Sequence, residues 1–415
     1  MIRRLCIQWP RFGRYHLARL EACERVLGPR GVEIVGLETA TNDTLNGWSV
    51  EDSPVAFRRE QVFPGSTFEA LAPQAIETAT GAALDRIDPD AVAIMSYGYP
   101  DARAALAWCR RRRRVAIILT DTKEDDAPRV GWREWVKRRI VGQYDAAFVS
   151  GTPQRAYIEK LGFPSALVFE GCNVVDNAFY ASRASYARAH PDAVRHLPGL
   201  SDESPFFLAV NRFLPLKNLD GLVRAYHRYR QQAANPWRLL LVGDGPERGV
   251  IERLVADERI EGVTFCGFLA ADDLALYLGR ASAFVHPSHK DTWGLVVNEA
   301  MAAGLPVVVS RSSGCWVDLV DEGRNGFTFD SRDGDALTRH LLSLAAPDAD
   351  RDAMGERSRS IISQFTPESF AETLLAAAEA GRSRSSRPPD LIAQGLLGAI
   401  RLASRSVTAF HSAEI

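Results

Sequence analysis

The chain repeats one pattern: a short, largely apolar run, a turn, then a stretch of helical spacing. Residues 5–8, 32–37, 91–95, 115–119, 146–149 and 165–169 are such runs. Residues 17–26, 68–86 and 153–161 between them carry apolar positions at helical spacing. An apolar run without alternation fits a strand buried on both faces, which means a parallel sheet covered by helices. Strand and helix in alternation predict a doubly wound sheet. A stretch rich in Ala, Arg, His, Pro and Ser at 181–203 reads as a linker, and the pattern then restarts. Strands are expected at 206–210, 238–242, 263–266, 283–286 and 306–309, with helices at 219–232 and 247–258. A length of 415 residues is too much for one ordinary core. The expected division is an N-terminal domain at 1–185, a C-terminal domain at 200–362, a final amphipathic helix at about 367–381, and a tail at 382–415.

Composition excludes several classes. Apolar content of 46% and charged content of 25% are those of a soluble globular protein. A net charge of -2 gives no reason to expect nucleic acid as a partner. The six cysteines are scattered without a CxxC pair, which favours reduced thiols and a cytoplasmic location. No run of about eighteen apolar residues spans a membrane, and the N-terminus reads as a strand rather than a secretion signal. Two segments leave peripheral contact with the inner face of a membrane open. Arg110–Arg114 are five consecutive arginines, read either as a basic helix end or as a site for anionic lipid headgroups or a phosphorylated acceptor. Residues 391–410 have the apolar spacing expected of a helix with a thin basic side, Arg401 and Arg405, read as packing on the domain, as disordered in isolation, or as lying on a membrane.

The chemistry-bearing motifs sit where strands end, the place where ligands bind in open parallel sheets. Arg212 and Lys217 follow the strand at 206–210. They fit either a bound diphosphate or a solvated surface pair. Gly243, in Val-Gly-Asp-Gly-Pro, opens a tight turn that either admits a ligand or is turn chemistry alone. Gly267, Phe268 and Leu269 could present backbone groups to the edge of a base. Asp291 and Glu299 flank Thr292, Gly294 and Leu295, whose amides begin a helix suited to phosphate. In this reading Glu299 grips a ribose diol and Asp291 faces a sugar hydroxyl.

The order and spacing of 211–217, 241–246, 263–269 and the stretch His286-Pro-Ser-X5-Trp-Gly-Leu-Val-Val-Asn-Glu-Ala-Met-Ala-Ala-Gly-Leu-Pro resemble the retaining glycosyltransferases of family GT4. The later segment 323–327 adds to the resemblance, which covers about residues 206–329. It implies a GT-B fold: two Rossmann-like doubly wound domains facing across a cleft, with the helix at 367–381 crossing back to the first domain. It also implies sugar transfer, with retention, from a nucleotide-diphosphate sugar to a saccharide, glycolipid or small-molecule acceptor, as in polysaccharide assembly. Arg212 and Lys217 would hold the diphosphate, and Glu299 the ribose. The family's first acid, usually Glu, falls on Asp291, one methylene shorter.

The N-terminal half matches the family less well. Where members carry a glycine-rich loop, residues 10–16 offer only Gly13. His16 reads either as an acceptor-side residue or as a helix-start residue. Asp121, Lys123 and Glu124 are acceptor-side candidates or part of a solvated charged loop. Asp88-Pro-Asp90 lies at the wrong end of its strand for a metal, and Asp348-Ala-Asp350 in a polar turn, so neither a metal nor another cofactor is expected. The competing readings are an epimerase, a phosphorylase, or a catalytically weak nucleotide-sugar scaffold.

Overall fold

The computed structural model describes residues 1–42, 54–387 and 390–403. Chain contacts divide it into two compact units, residues 1–174 with 367–415, and residues 175–366. Each unit is a parallel sheet wound on both faces by helices, as the alternation predicts.

The first sheet has seven strands: β1 Arg4–Trp9, β2 Glu33–Asn42, β3 Arg58–Thr67, β4 Ala91–Met95, β5 Val115–Thr120, β6 Ala146–Val149 and β7 Val168–Glu170. They lie in the order β3-β2-β1-β4-β5-β6-β7. Every residue of β5 and β6 is buried, the burial an unbroken apolar run demands. The sequence pattern did not reveal β3. It pairs with β2 at the sheet edge, is polar through much of its length, and contains Pro64, which only an edge tolerates.

The second sheet has six strands: β8 Phe206–Val210, β9 Arg238–Val242, β10 Val263–Gly267, β11 Ala283–His286, β12 Val307–Ser310 and β13 Gly326–Phe329. Their order is β10-β9-β8-β11-β12-β13. Two apolar cores pack against this sheet, one around Trp293, Tyr277 and Met301, the other around Phe207, Tyr226 and Trp237.

The expected linker at 181–203 is not a linker. The helix Asn177–Ala189 packs on the helix Ala271–Arg280 within the second unit. Its alanines permit close approach rather than flexibility: a Cβ on Gly279 would fall 2.6 Å from the Ala184 carbonyl oxygen and 2.9 Å from the Ala187 Cβ. The helix Pro367–Gly381 belongs to the first unit. Phe370 meets Phe148, Arg25 and Arg30 pair with Glu368 and Glu372, and the Ile2 amide donates to Glu379 at 2.8 Å. The tail helix Leu391–Ala403 packs on the helix Gly131–Val141, with Leu397 against the first core. Residues 404–410 of that expected helix, Arg405 among them, lie outside the described residues. The arginine run is mostly internally paired: Arg110 with Asp145, Arg112 with Asp85, and Arg114 with Asp88 and Asp90.

Candidate functional site

In the second sheet the strand order reverses between β8 and β11. Connections leaving the carboxyl ends of those two strands diverge and open a crevice there. Lys217 lies on the loop after β8, and His286 and Asp291 on and after β11. The loops are stitched together: the His289 amide donates to the Leu216 carbonyl at 2.8 Å, and Asn218 Nδ2 donates to the Pro287 carbonyl at 3.0 Å. Lys217 Nζ thereby sits 2.7 Å from Asp291 Oδ2, and His286 Nε2 lies 3.0 Å from the same oxygen. A carboxylate only accepts, so Nε2 carries the proton. Burial pushes the Asp291 carboxyl upwards, but the Lys217 charge and the His286 hydrogen bond outweigh it and hold the group well below the usual carboxylate range. Asp291 is therefore an anion at neutral pH, pinned through one oxygen. Its Oδ1 makes no hydrogen bond among the described residues.

Gly294 caps the helix Leu295–Ala302 with φ +102, a left-handed conformation that a side chain would strain, and a Cβ there would lie 3.2 Å from His286 Nε2. The buried Trp293 donates from Nε1 to Asn298 at 3.0 Å, locking the turn to the helix it opens. Thr292 and Leu295 are half-buried beside it. Glu299 Oε1 accepts from the Tyr180 hydroxyl at 2.8 Å. Gly267 has open space where a Cβ would be, with Phe268 exposed and Leu269 half-buried next to it. Three buried polar atoms of this sheet's carboxyl edge have no hydrogen-bond partner: Asn211 Nδ2, His286 Nδ1 and Ser313 Oγ. Buried polar groups are rarely left so, and each such atom calls for an explanation.

Two expectations change here. Gly243 makes room for the protein's own backbone rather than for a ligand: with φ +121, a Cβ would lie 1.8 Å from the Asn211 carbonyl oxygen. The structure also does not pair Arg212 with Lys217. Lys217 is committed to Asp291, while Arg212 is exposed and makes no ion pair or side-chain hydrogen bond among the described residues.

The first sheet reverses between β1 and β4. Its carboxyl edge holds a buried network that the sequence did not single out. Asp101 Oδ2 accepts from Gln8 Nε2 at 2.7 Å and Thr39 Oγ1 at 2.6 Å. Burial raises the Asp101 carboxyl to about 6, against hydrogen bonds that pull the other way. Glu38, also buried, accepts from the Phe12 amide at 2.8 Å and from Arg59 at 2.7 Å, bracing the loop after β1. On that loop Gly13 is the cap of the helix Arg14–Leu27, and its amide donates to His16 Nδ1 at 2.8 Å. His16 stacks on Trp9 at 4.5 Å, and burial, aided by Arg19 and Arg11, keeps the ring neutral. Its observed work is at the helix start.

The charged loop after β5 resolves differently for each residue. Asp121 is half-buried beyond the strand end. Lys123 is buried and spent on its own loop, 2.7 Å from Asp125 and 3.0 Å from Asp126. Glu124 is exposed and pairs with Lys160. In the structure these two charges are paired within the loop and with its neighbour.

Both Asp-x-Asp segments are structural. Asp90 Oδ2 accepts from the amides of Arg3 and Arg4, and Asp350 caps the helix Arg351–Ile362. Among the described residues no group of three or more His, Cys, Asp or Glu could hold a metal ion. The residues that sequence reasoning left without a role are His286, Tyr180, Asn211 and Ser313. His286 was in view, inside the His-Pro-Ser segment, whereas Tyr180 sits 119 residues from its partner Glu299 and carried no local signal.

Residues 193–361 match the family described as glycosyl transferases group 1. Over 277 residues the chain is 32% identical to the GDP-mannose-dependent alpha-(1-6)-phosphatidylinositol monomannoside mannosyltransferase of Mycolicibacterium smegmatis, covering 63% of this chain and 70% of that one. It is 28% identical to the alpha-monoglucosyldiacylglycerol synthase of Acholeplasma laidlawii over 167 residues, 40% of each protein. In fold it is similar to the sucrose-phosphate synthase of Thermosynechococcus elongatus, with a TM-score of 0.69 at 21% identity over 90% of this chain and 97% of the other. It is also similar to Anabaena HepE in complex with UDP and glucose, with a TM-score of 0.66 at 16% identity over 91% and 99%. The chain belongs to the group 1 glycosyltransferases and has their GT-B fold.

Proposed function

We propose that this protein transfers a glycosyl group from a nucleoside-diphosphate sugar to a lipid-linked or saccharide acceptor, with retention of anomeric configuration, at the cytoplasmic side of the cell. One observation carries the reading: the pair Lys217–Asp291 stands at the reversal point of the second sheet, beside the start of the helix Leu295–Ala302. An incoming diphosphate competes with Asp291 for the Lys217 ammonium. Arg212 and the helix amides add to the positive field, and these groups meet the charge that builds on the leaving diphosphate in place of a bound cation. Asp291 keeps Oδ1 for a sugar hydroxyl, and Glu299, aimed by Tyr180, takes the ribose diol. The names of two relatives, an alpha-monoglucosyldiacylglycerol synthase and a phosphatidylinositol monomannoside mannosyltransferase, support a lipid-linked acceptor.

The test begins with thermal denaturation in UDP, GDP and ADP. A ligand at a hundred times its Kd stabilises the folded state by about 2.7 kcal/mol. One of the three should raise Tm, and its sugar conjugate should then support transfer at a rate unchanged by EDTA. No Tm shift with any nucleotide would overturn the donor assignment. A rate abolished by EDTA and restored by Mg²⁺ would overturn the metal-free part.

A further inference from the structure

The helix Gly131–Val141 has one face in the first core, through Ile140 and Val141. Its other face is unusual. Trp132 is 66% exposed and Trp135 46%, and residues three apart share a helix face. Val130, just before the helix, is also exposed, as is Ile392 on the tail helix that packs alongside. Large apolar side chains grouped in this way mark an interaction surface.

The charge on this face is positive. The Arg133 guanidinium lies 5.5 Å from the Trp132 ring centre, and Arg139, which also pairs with Asp390 at 3.3 Å, lies 5.5 Å from that of Trp135. Arg138 is exposed and donates to the Lys160 carbonyl at 3.2 Å. The one acid of the helix, Glu134, is neutralised inwards, accepting from the Tyr157 hydroxyl at 2.8 Å and from Lys137 at 3.1 Å. Beside Trp135 a cavity of about 260 Å³ is lined by Arg129, Arg138 and Lys160 together with Glu124 and Glu134. Glu124 pairs with Lys160 and Glu134 lies 3.8 Å from Arg129, which leaves Arg138 as the cation there without an acidic partner among the described residues. The arginine run 110–114 offers no such surface, because most of its charges are paired.

We propose that this face docks on an anionic lipid surface, with Trp132 and Trp135 entering the headgroup layer and Arg133 and Arg138 holding lipid phosphates. Each indole is flanked by a guanidinium, a pairing that suits the mixed apolar and anionic depth of a membrane interface. A protein partner would instead call for an apolar centre within a rim of matched hydrogen bonds.

The experiment is co-sedimentation of the full chain with phosphatidylcholine vesicles, with and without phosphatidylglycerol. The protein should bind the anionic vesicles and release them at high salt. The double variant Trp132→Ser, Trp135→Ser should bind at least about tenfold more weakly. Arg133→Gln and Arg138→Gln should each weaken binding by about fivefold. All these variants should keep the nucleotide-induced rise in Tm, which separates this inference from the assignment of the donor site. Failure of the unaltered protein to bind anionic vesicles, or equal binding by the tryptophan variant, would overturn the proposal.

Discussion

The two sheets reverse their strand order in the same way, yet their carboxyl edges are built from opposite chemistry. In the second unit the edge displays charge: an ammonium and a carboxylate 2.7 Å apart, both still partly open to solvent, with a spare carboxylate oxygen. In the first unit the edge conceals it. Asp101 and Glu38 are buried and consumed by the chain's own donors. The scaffold alone thus fixes where a ligand can approach, and the state of the carboxylates decides whether the edge is ready for an anion or serves to hold a loop in shape.

The strongest way to break this contrast is Lys217→Ala. If the displayed charge does chemistry, kcat for transfer should fall by about a thousandfold, the scale of losing a preorganised charge at a leaving group, while the fold persists by circular dichroism. A rate within a few-fold of the original would make the pair merely structural. The opposite result is expected at the first edge. Glu38→Ala should lower stability to urea by about 3 kcal/mol, because it leaves Arg59 and the Phe12 amide without their partner. Nucleotide binding should be unaffected, and a large loss of donor affinity with normal stability would contradict the bracing role.

Asp101 offers a pH signature. Its folded-state pKa is raised to about 6, so the folded protein holds a proton that the unfolded chain has released. Stability is therefore expected to fall as pH rises from about 4 to about 6, by roughly 3 kcal/mol from this group. Asp101→Asn should flatten that fall in a Tm-against-pH series, and an unchanged slope would show that the carboxyl is not the titrating group. The smallest effect is assigned to Tyr180→Phe, which removes one hydrogen bond to Glu299. KM for the donor should rise about fivefold with kcat nearly constant, in line with about 1 kcal/mol for such a bond. A change confined to kcat would place Glu299 nearer the reacting atoms than the ribose.

The second edge was legible in the sequence because its charges lie in two short segments at the ends of apolar strands. The alternation of runs and turns was enough to place 217 and 291 at strand ends of one sheet, though not to show that they pair. The first edge was not, because Gln8, Thr39 and Asp101 meet only through the sheet and are unremarkable where they stand. Lys123 and Glu124 looked functional because a charged loop after a strand resembles a site. Only the structure shows that their charges are satisfied nearby. The alanines of 181–189 misled in the other direction, since small residues that pack closely and small residues that link loosely have the same composition. β3 was missed because an edge strand with one wet side lacks the apolar run that marks its neighbours.

The place of the helix Pro367–Gly381 also bears on how the protein is made. The first unit begins at residue 1 but takes this helix into its core, and the Ile2 amide waits for Glu379. During synthesis the second unit, residues 175–366, emerges whole before the first can close. The usual N-to-C order of domain maturation is thereby inverted. Until residues 367–381 have left the ribosome, the first unit keeps an apolar flank bare, and that interval is when it is most open to aggregation.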